Sequence, residues 1–270
     1  MKRIQFPVAI GLAVLLVPMF AKAADEQSGQ QAKTFEKQIS VKLDYLLFLP
    51  EGYSNDSDKK WPLMLFLHGA GERGSDVNKV KVHGPPKIVQ NKKDFPFILV
   101  SPQCPANSWW KPYELTALLD QIQKDYKVDP DRVYLTGLSM GGYGTYHLAL
   151  AHPTRFAAAV VVCGGLLPHE TTTAVQQSPL TAGAADPYAF TAHALRKLPI
   201  WIFHGDADPV IPVAESRRMA EELRREGADV HYTEFPGVGH NSWDRAYGDE
   251  TLWKWLFTHS SANAQAALRP

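Results

Sequence analysis

Short apolar runs alternate with longer amphipathic stretches along this 270-residue chain. Several of the runs, such as residues 63–67 and 97–100, contain no polar position, which is typical of a strand covered on both faces. The longer stretches, such as residues 113–126, repeat leucine and isoleucine at helical spacing and so predict amphipathic helices. The alternation predicts a mostly parallel central sheet with helices on both faces.

The predicted elements cover residues 35–258, which we expect to form a single α/β domain. Strands are expected at 35–40, 43–49, 63–67, 97–100, the run before Gly137, 156–162, 198–203 and 230–235, the first two as an antiparallel pair. Helices are expected at 86–93, 113–126, 143–151, 213–226 and 251–258. In a sheet of this kind, ligands bind beyond the carboxyl ends of the parallel strands.

The two ends of the chain are expected to lie outside that domain. Lys2 and Arg3 precede an apolar stretch at 8–20 that is too short to span a bilayer, and the sequence Ala-Lys-Ala at 21–23 has the form of a cleavage site. We therefore predict a signal peptide at 1–23, a flexible segment at 24–34 and a flexible tail at 259–270. The mature protein is expected to be exported, to the periplasm or the medium, without stable membrane insertion.

Composition and charge narrow the range of functions. The 28 basic and 28 acidic residues balance, so there is no basic excess to bind nucleic acid. The 45% of hydrophobic residues is ample for one large core. The two cysteines, Cys104 and Cys163, follow strands that are not expected to be neighbours, which predicts two buried free thiols rather than a disulfide.

The first motif that indicates a catalytic function is Gly137-Leu138-Ser139-Met140-Gly141. It has the pattern G-x-S-x-G and lies between a predicted strand and a predicted helix. This is the sequence form of a nucleophile elbow, in which a sharp turn exposes a serine hydroxyl and leaves no room for side chains at the flanking glycines. The motif is short enough to arise by chance, and its strand and helix context is what favours Ser139 as a nucleophile.

A serine nucleophile needs a base, and the base needs an orienting carboxylate. Among ten histidines, His240 is the best candidate base because it follows the last predicted strand in a glycine-containing loop. Asp206 and Asp208 compete as the carboxylate, since both follow the penultimate strand. Asp208 is preferred because it lies further into the loop, whereas His68 and His204 are expected to hold loops by hydrogen bonds.

An oxyanion formed at Ser139 would need two N–H donors. The backbone of Met140, directly after the serine, is the first expected donor. The second is expected from the loop after residue 67, at Ala70 or alternatively at Gly71, since Gly69 and Gly71 let the backbone approach a substrate. We expect no cofactor and no metal. His204, Asp206 and Asp208 are close in sequence, but their neighbours supply no further ligands, which argues against a metal site there.

These segments resemble the α/β-hydrolase superfamily over about residues 42–258. The resemblance rests on residues 67–74, 101–105, 137–142, 204–209 and the pair Gly239-His240. Within the superfamily, the chain is similar to exported esterases labelled predicted peptidases or phospholipase/carboxylesterase-like proteins, and to dienelactone hydrolases. The resemblance implies an α/β-hydrolase fold with Ser139 as nucleophile, Asp208 as acid and His240 as base.

The substrate is expected to be a small-molecule or polymer-linked ester, with a short-chain, aryl or polysaccharide-linked group. Between residues 165 and 198 the chain shows no strong amphipathic helix, which argues against a large lid. Candidate substrate contacts, each of which could instead be structural, are Trp109, Trp110, Gln103 and Glu72. Two alternatives stay open: a serine peptidase of the prolyl-oligopeptidase type, and a non-catalytic binding protein of the same fold.

Overall fold

A computed structural model describes residue 30 and residues 32–54, 58–167 and 179–261. The predicted signal peptide, most of the 24–34 segment and the tail from residue 262 lie outside these described residues. The chain divides into two compact units, Met1–Ile39 and Ser40–Pro270. The described residues of the first unit form neither helix nor strand. The strand expected at 35–40 is therefore wrong, and its two apolar residues among four polar ones explain why it has little to bury.

The second unit contains a seven-stranded sheet with the strand order β1-β3-β2-β4-β5-β6-β7. Its strands are β1 (Tyr45–Phe48), β2 (Trp61–Leu67), β3 (Ile98–Pro102), β4 (Val128–Leu138), β5 (Ala158–Val162), β6 (Ile200–Gly205) and β7 (Val230–Phe235). Its helices are α1 (Gly84–Ile88), α2 (Pro112–Asp125), α3 (Met140–Ala151), α4 (Pro187–Leu195), α5 (Val213–Arg225), α6 (Trp243–Gly248) and α7 (Glu250–Phe257). Only β1 runs antiparallel to its neighbour, β3.

The sheet divides the core into two layers because successive side chains of a strand point to opposite faces. On β2, Leu63, Leu65 and Leu67 belong to the layer covered by α2, α3, α4 and α5. Met64 and Phe66 belong to the opposite layer, which also contains buried residues of α6 and α7. All seven residues of β2 are buried. The prediction of a mostly parallel sheet with helices on both faces is confirmed.

Two helices were not predicted, and the reason is visible in their sequences. Helix α4 lies between residues 165 and 198, where no strong amphipathic helix was expected. Its buried residues, Tyr188, Thr191, Ala192 and Leu195, have helical spacing, but threonine and alanine make the face weakly apolar. The start signal was present, since Asp186 accepts hydrogen bonds from two amides of the first turn and Pro187 follows it. The other missed helix, α6, is only six residues long.

Other differences are local. The first expected hairpin does not form, because β1 pairs with β3 instead of with residues 35–40. The helix expected at 86–93 spans Gly84–Ile88. Cys104 and Cys163 are buried and unpaired, as predicted, and the strands that they follow, β3 and β5, are separated by β2 and β4. Within the described residues, no helix has both the length and the apolar character needed to cross a membrane.

Candidate active site

Ser139 lies at a sharp turn between β4 and α3. Its backbone dihedrals, φ 52° and ψ −118°, fall in a region that residues with side chains rarely adopt. The flanking glycines are required by close backbone approaches: a Cβ at Gly137 would lie 2.2 Å from the Gly141 oxygen, and one at Gly141 would lie 1.9 Å from the Leu67 oxygen. The fold therefore holds the serine in a strained conformation at the N-terminus of a buried helix.

Replacing Gly141 by alanine is expected to destabilise the protein by about 3 kcal/mol or more, because the added methyl group would overlap the backbone of β2. The matched control is Gly71→Ala. A Cβ at Gly71 meets nothing within 4 Å, so a change within about 0.5 kcal/mol is expected there. Urea denaturation of both variants measures the difference. Equal stability of the two would contradict the close packing of the elbow against β2.

Three side chains from separate strand ends form a continuous hydrogen-bonded row. His240 Nε2 lies 2.9 Å from Ser139 Oγ, and His240 Nδ1 lies 2.7 Å from Asp208 Oδ2. The serine follows β4, the aspartate follows β6 and the histidine follows β7, so all three meet beyond the carboxyl ends of the sheet. This is the geometry that general-base activation of a serine requires.

The structure separates the two candidate carboxylates. The Asp208 side chain is fully buried, and its second oxygen accepts hydrogen bonds from the amides of Val210 and Ile211 at 2.8 and 3.0 Å. Asp206 is exposed, and its carboxylate instead accepts a 2.6 Å hydrogen bond from the amide of Gly237. Asp208 is therefore the carboxylate next to His240, and Asp206 holds the loop after β7.

A second histidine, His204, also faces Asp208. Its Nε2 lies 3.2 Å from Asp208 Oδ2 and 3.0 Å from the Ile211 carbonyl oxygen, while its Nδ1 lies 2.7 Å from Ser216 Oγ. Two acceptors beside Nε2 place the proton there, so Nδ1 accepts from the serine hydroxyl. The sequence predicted a loop-holding role for His204 but gave no sign of its contact with the carboxylate.

These contacts decide the ionisation of Asp208. Burial alone would raise the pKa of its carboxyl. Hydrogen bonds from His204, His240 and the two amides outweigh that effect and hold the pKa well below its usual range. The carboxylate is therefore charged at any pH near neutrality, and it favours the His240 tautomer that carries a proton on Nδ1 and presents a lone pair to Ser139.

The loop after β2 is fixed by His68. Its Nε2 accepts a 2.9 Å hydrogen bond from the Cys104 amide, which places the proton on Nδ1, 2.6 Å from the Gly69 carbonyl oxygen. The peptide bond after Gly69 is trans, so the Ala70 N–H points away from that carbonyl and from the ring. Met140 is the first residue of α3, where an amide has no acceptor within its own helix.

Because two histidines are buried, we expect the free energy of unfolding to decrease in acid. Burial is the main cause that lowers the pKa of His68 and of His147 from 6.5 to about 4. Between these pH values the unfolded chain binds protons that the folded protein does not, so the free energy of unfolding falls as the pH decreases from about 6.5 towards 4. Each shift corresponds to at most about 3 kcal/mol. Above pH 6.5 these rings are neutral in both the folded and the unfolded state, so the loss of stability is absent there.

Urea denaturation at about pH 7 and about pH 4.5 measures this effect. The midpoint is expected to be lower at the acidic pH, and the difference should shrink in a His147→Asn variant. Asp208 contributes little to the change in stability between about pH 7 and about pH 4.5, because the pKa of its carboxyl lies below that range. Equal midpoints at the two pH values would contradict the burial of neutral histidines.

The four candidate substrate contacts lie in different surroundings. Trp110 is buried, and its indole N–H donates to the His68 carbonyl at 3.1 Å. Gln103 is also buried, and its amide donates to the backbone carbonyls of Glu72 and Asp76, both at 2.8 Å. These contacts stabilise the loop after β2 and occupy the donor groups of both side chains. Gln103 Oε1 is buried and has no hydrogen-bond partner among the described residues.

Trp109 and Glu72 are less buried than Trp110 and Gln103. Trp109 is half-buried and meets Tyr143 edge to face, with 6.3 Å between ring centroids. The Glu72 carboxylate lies 3.9 Å from His68 Nδ1 and 3.8 Å from His83 Nε2. Neither contact by itself assigns a substrate role, which stays a prediction for both residues.

One trio of possible metal ligands occurs among the described residues. The ligand atoms of Cys163, Asp208 and His240 lie within 4.8 Å of one another. A thiol binds a metal as the thiolate, but burial raises the pKa of Cys163 to about 12. The Asp208 carboxylate and the His240 ring are already paired with each other. The donor set is therefore a poor fit to a metal ion.

Comparisons with known proteins agree with this fold. The chain is 30% identical over 186 residues to probable feruloyl esterase C of Aspergillus terreus, covering 67% of this chain and 60% of that protein. The crystal structure of a thermostable esterase matches with a TM-score of 0.63 and 33% identity, over 85% of this chain and 63% of the other. A ferulic acid esterase structure matches in fold, with a TM-score of 0.57 and 20% identity over 78% and 89% of the two chains.

The chain spans about three fifths of the length of the Aspergillus terreus relative. Residues 110–262, more than half of the chain, match the sequence pattern of the prolyl oligopeptidase family. That matched region includes the serine, the aspartate and the histidine of the hydrogen-bonded row. The structure accordingly has the α/β-hydrolase fold, and the chain belongs to the prolyl oligopeptidase family.

Proposed function

We propose that the protein is a serine carboxylic-ester hydrolase that acts through an acyl-enzyme on Ser139. The observation that carries the proposal is the hydrogen-bonded row from Ser139 through His240 to the buried Asp208. Similarity to esterases in both sequence and structure supports an ester rather than another acyl substrate. The proposed substrates are short-chain, aryl or polysaccharide-linked esters.

The reaction begins with proton transfer from Ser139 Oγ to His240 Nε2 as the oxygen attacks the ester carbonyl carbon. The carbonyl oxygen becomes negatively charged and accepts hydrogen bonds from the Met140 amide and from the Ala70 amide, with Gly71 as the alternative. The fixed Gly69 carbonyl favours Ala70, because it directs that N–H away from His68. Asp208 stabilises the imidazolium without taking its proton.

Collapse of the intermediate breaks the bond to the alcohol, which leaves with the proton from His240. The acyl group is then bonded to Ser139. Water attacks the same carbonyl while His240 takes its proton, and the second collapse releases the carboxylic acid and returns the proton to Ser139. No cofactor or metal takes part in this proposed cycle.

The second candidate function is amide hydrolysis, which the match to the prolyl oligopeptidase family favours. The same row of residues can cleave either bond, since both reactions pass through a tetrahedral oxyanion. We favour the ester because the Aspergillus terreus relative and the thermostable esterase structure are both esterases.

We also propose that the protein is exported, on the strength of the basic start, apolar stretch and cleavage-site sequence at residues 1–23.

The test compares esters and amides that share one acyl group, from acetyl to long acyl chains and with aryl acids included. Turnover of esters well above that of the matched amides supports the proposal. Faster turnover of the amides would replace it with the peptidase function. A folded protein that turns over neither would favour a binding role for this site.

A further inference from the structure

A cavity of about 460 Å³ lies along the face of α3 that starts at the nucleophile. Tyr143 and His147 line it, four and eight residues after Ser139, so the three positions share one face of the helix. At the rise of an α-helix, they lie roughly 6 and 12 Å along the axis from the serine. The cavity therefore begins about one helical turn from the reacting oxygen.

Another part of the lining is linked to the proposed oxyanion loop. Trp109 and Tyr113 line this side, and half of the Tyr113 side chain is exposed. Arg73 connects the wall to the loop: its Nε donates to the Ala70 carbonyl at 3.0 Å, and its Nη1 donates to the Ser108 carbonyl at 3.2 Å. Its guanidinium also lies 6.0 Å from the Trp109 ring centroid. Both parts of the lining are thus connected to the candidate active site, one through α3 and the other through Arg73.

The lining combines aromatic side chains with the polar residues Asn107, Ser108 and Lys111, and one of its buried polar atoms has no hydrogen-bond partner among the described residues. His147 is 8% exposed, and its Nε2 has no hydrogen-bond partner among the described residues. Burial lowers the pKa of the ring to about 4, opposed by the backbone carbonyl of Leu166, so the ring is neutral near pH 7. With its proton on the nitrogen that faces this carbonyl, the ring presents a lone pair at Nε2. A ligand that satisfies it must bring a hydrogen-bond donor.

The lining selects the chemistry of that ligand. Aromatic side chains favour a flat ring with apolar faces. Asn107 and Lys111 of the lining are exposed, so His147 Nε2 is its one buried acceptor without a partner among the described residues. A sugar ring carries several hydroxyl groups, each of which loses its water partners on burial. A phenol matches this combination, since it offers one flat ring and one O–H.

We propose that this cavity is a subsite for a phenolic ring on the acyl group of the ester, whose hydroxyl donates to His147 Nε2 while the ring packs on Trp109 and Tyr113. The inference rests on the proposed function, because the ring is placed by the ester bond at Ser139. It makes His147 and Trp109 specificity-determining residues. Neither takes part in the proton transfers at the serine.

Calorimetric binding to the full chain carrying Ser139→Ala tests the subsite without turnover. The probes are methyl 3-(4-hydroxyphenyl)propanoate and its 4-methoxy counterpart, which lacks the O–H donor. We expect the phenol to bind about tenfold more tightly, which is the typical worth of one buried hydrogen bond. Adding Trp109→Ala should weaken both probes by about tenfold through the lost ring contact.

The added variant His147→Asn should remove the preference for the phenol, since asparagine keeps a polar group near the Leu166 carbonyl but does not reach the Nε2 position. The matched control is His152→Asn, at the end of the same helix and outside this cavity, which should leave the preference intact. Thermal melting checks that each variant is folded. If the His147→Asn variant does not fold, the comparison of the two probes on the Ser139→Ala protein still tests the subsite.

Equal binding of the two probes would overturn the subsite. So would tighter binding of an acetylated sugar that depends on His147, which would assign the cavity to the alcohol instead. Turnover of acetyl esters by the unmodified enzyme, together with equal probe binding, would leave the esterase proposal standing and remove only this inference. A preference for the phenol without ester turnover would leave a phenol-binding cavity, but it would remove the esterase proposal and with it the assignment of the ring to an acyl group.

Discussion

Replacing Ser139 by alanine is expected to lower kcat/KM for ester hydrolysis by between about 10⁴- and 10⁶-fold, the range found when a nucleophile of this type is removed. The change takes away the attacking oxygen and leaves His240 paired with Asp208. It adds no atoms to the crowded elbow, where the flanking glycines lie against the backbone of α3 and β2. Stability should therefore change little, and the loss should appear in kcat.

The measurement compares initial rates on one ester with the melting temperature of the same preparation. The matched control is Ser75→Ala, an exposed serine in the bend after residue 73 that the proposed cycle does not use. A folded Ser139→Ala protein that keeps more than a small fraction of the activity would remove Ser139 from the proposed role.

The second large effect is expected from Asp208→Asn, which should lower kcat by roughly 10⁴-fold, as in serine proteases with the equivalent change. The asparagine amide would place a donor where His240 Nδ1 and His204 Nε2 now find an acceptor. His240 would then favour the tautomer with its proton on Nε2, which cannot accept the proton of Ser139. The geometry of the site would stay the same, but His240 could no longer act as the base.

Asp206→Asn is the matched comparison, two residues away in the same loop. An asparagine oxygen can still accept the hydrogen bond from the Gly237 amide, so activity near that of the unmodified protein is expected. Rates of both variants on one ester, with melting curves, decide the assignment. An active Asp208→Asn protein beside an inactive Asp206→Asn protein would reverse it.

The strands that carry the site were predictable because their residues leave little choice. Residues 63–67 and 156–162 are apolar throughout, and short runs of this kind are typical of strands buried on both faces. The parallel order then brings the ends of β4, β6 and β7 to one edge, where Ser139, Asp208 and His240 meet. Position in the loop was enough to prefer Asp208 to Asp206.

The parts that were missed depend on contacts between distant segments. Helix α4 buries a threonine and an alanine, and their burial against α5 cannot be read from their own polarity. The strand expected at 35–40 has only two apolar residues, Phe35 and Ile39, and both are exposed, so it has too little apolar surface to bury. His204 and His147 looked like ordinary loop and helix residues, because their roles arise from Asp208 and from an aromatic cavity built by other segments.

The most direct test of the central claim is labelling with a fluorophosphonate, which reacts with a serine only when a base activates it and an oxyanion site receives the product. Intact-mass measurement of the folded protein should show one label per chain, and peptide mapping should place it on Ser139. The Ser139→Ala protein should remain unlabelled. A folded, unmodified protein that takes no label, or takes it at another serine, would contradict the proposal that Ser139, His240 and Asp208 form a working catalytic triad.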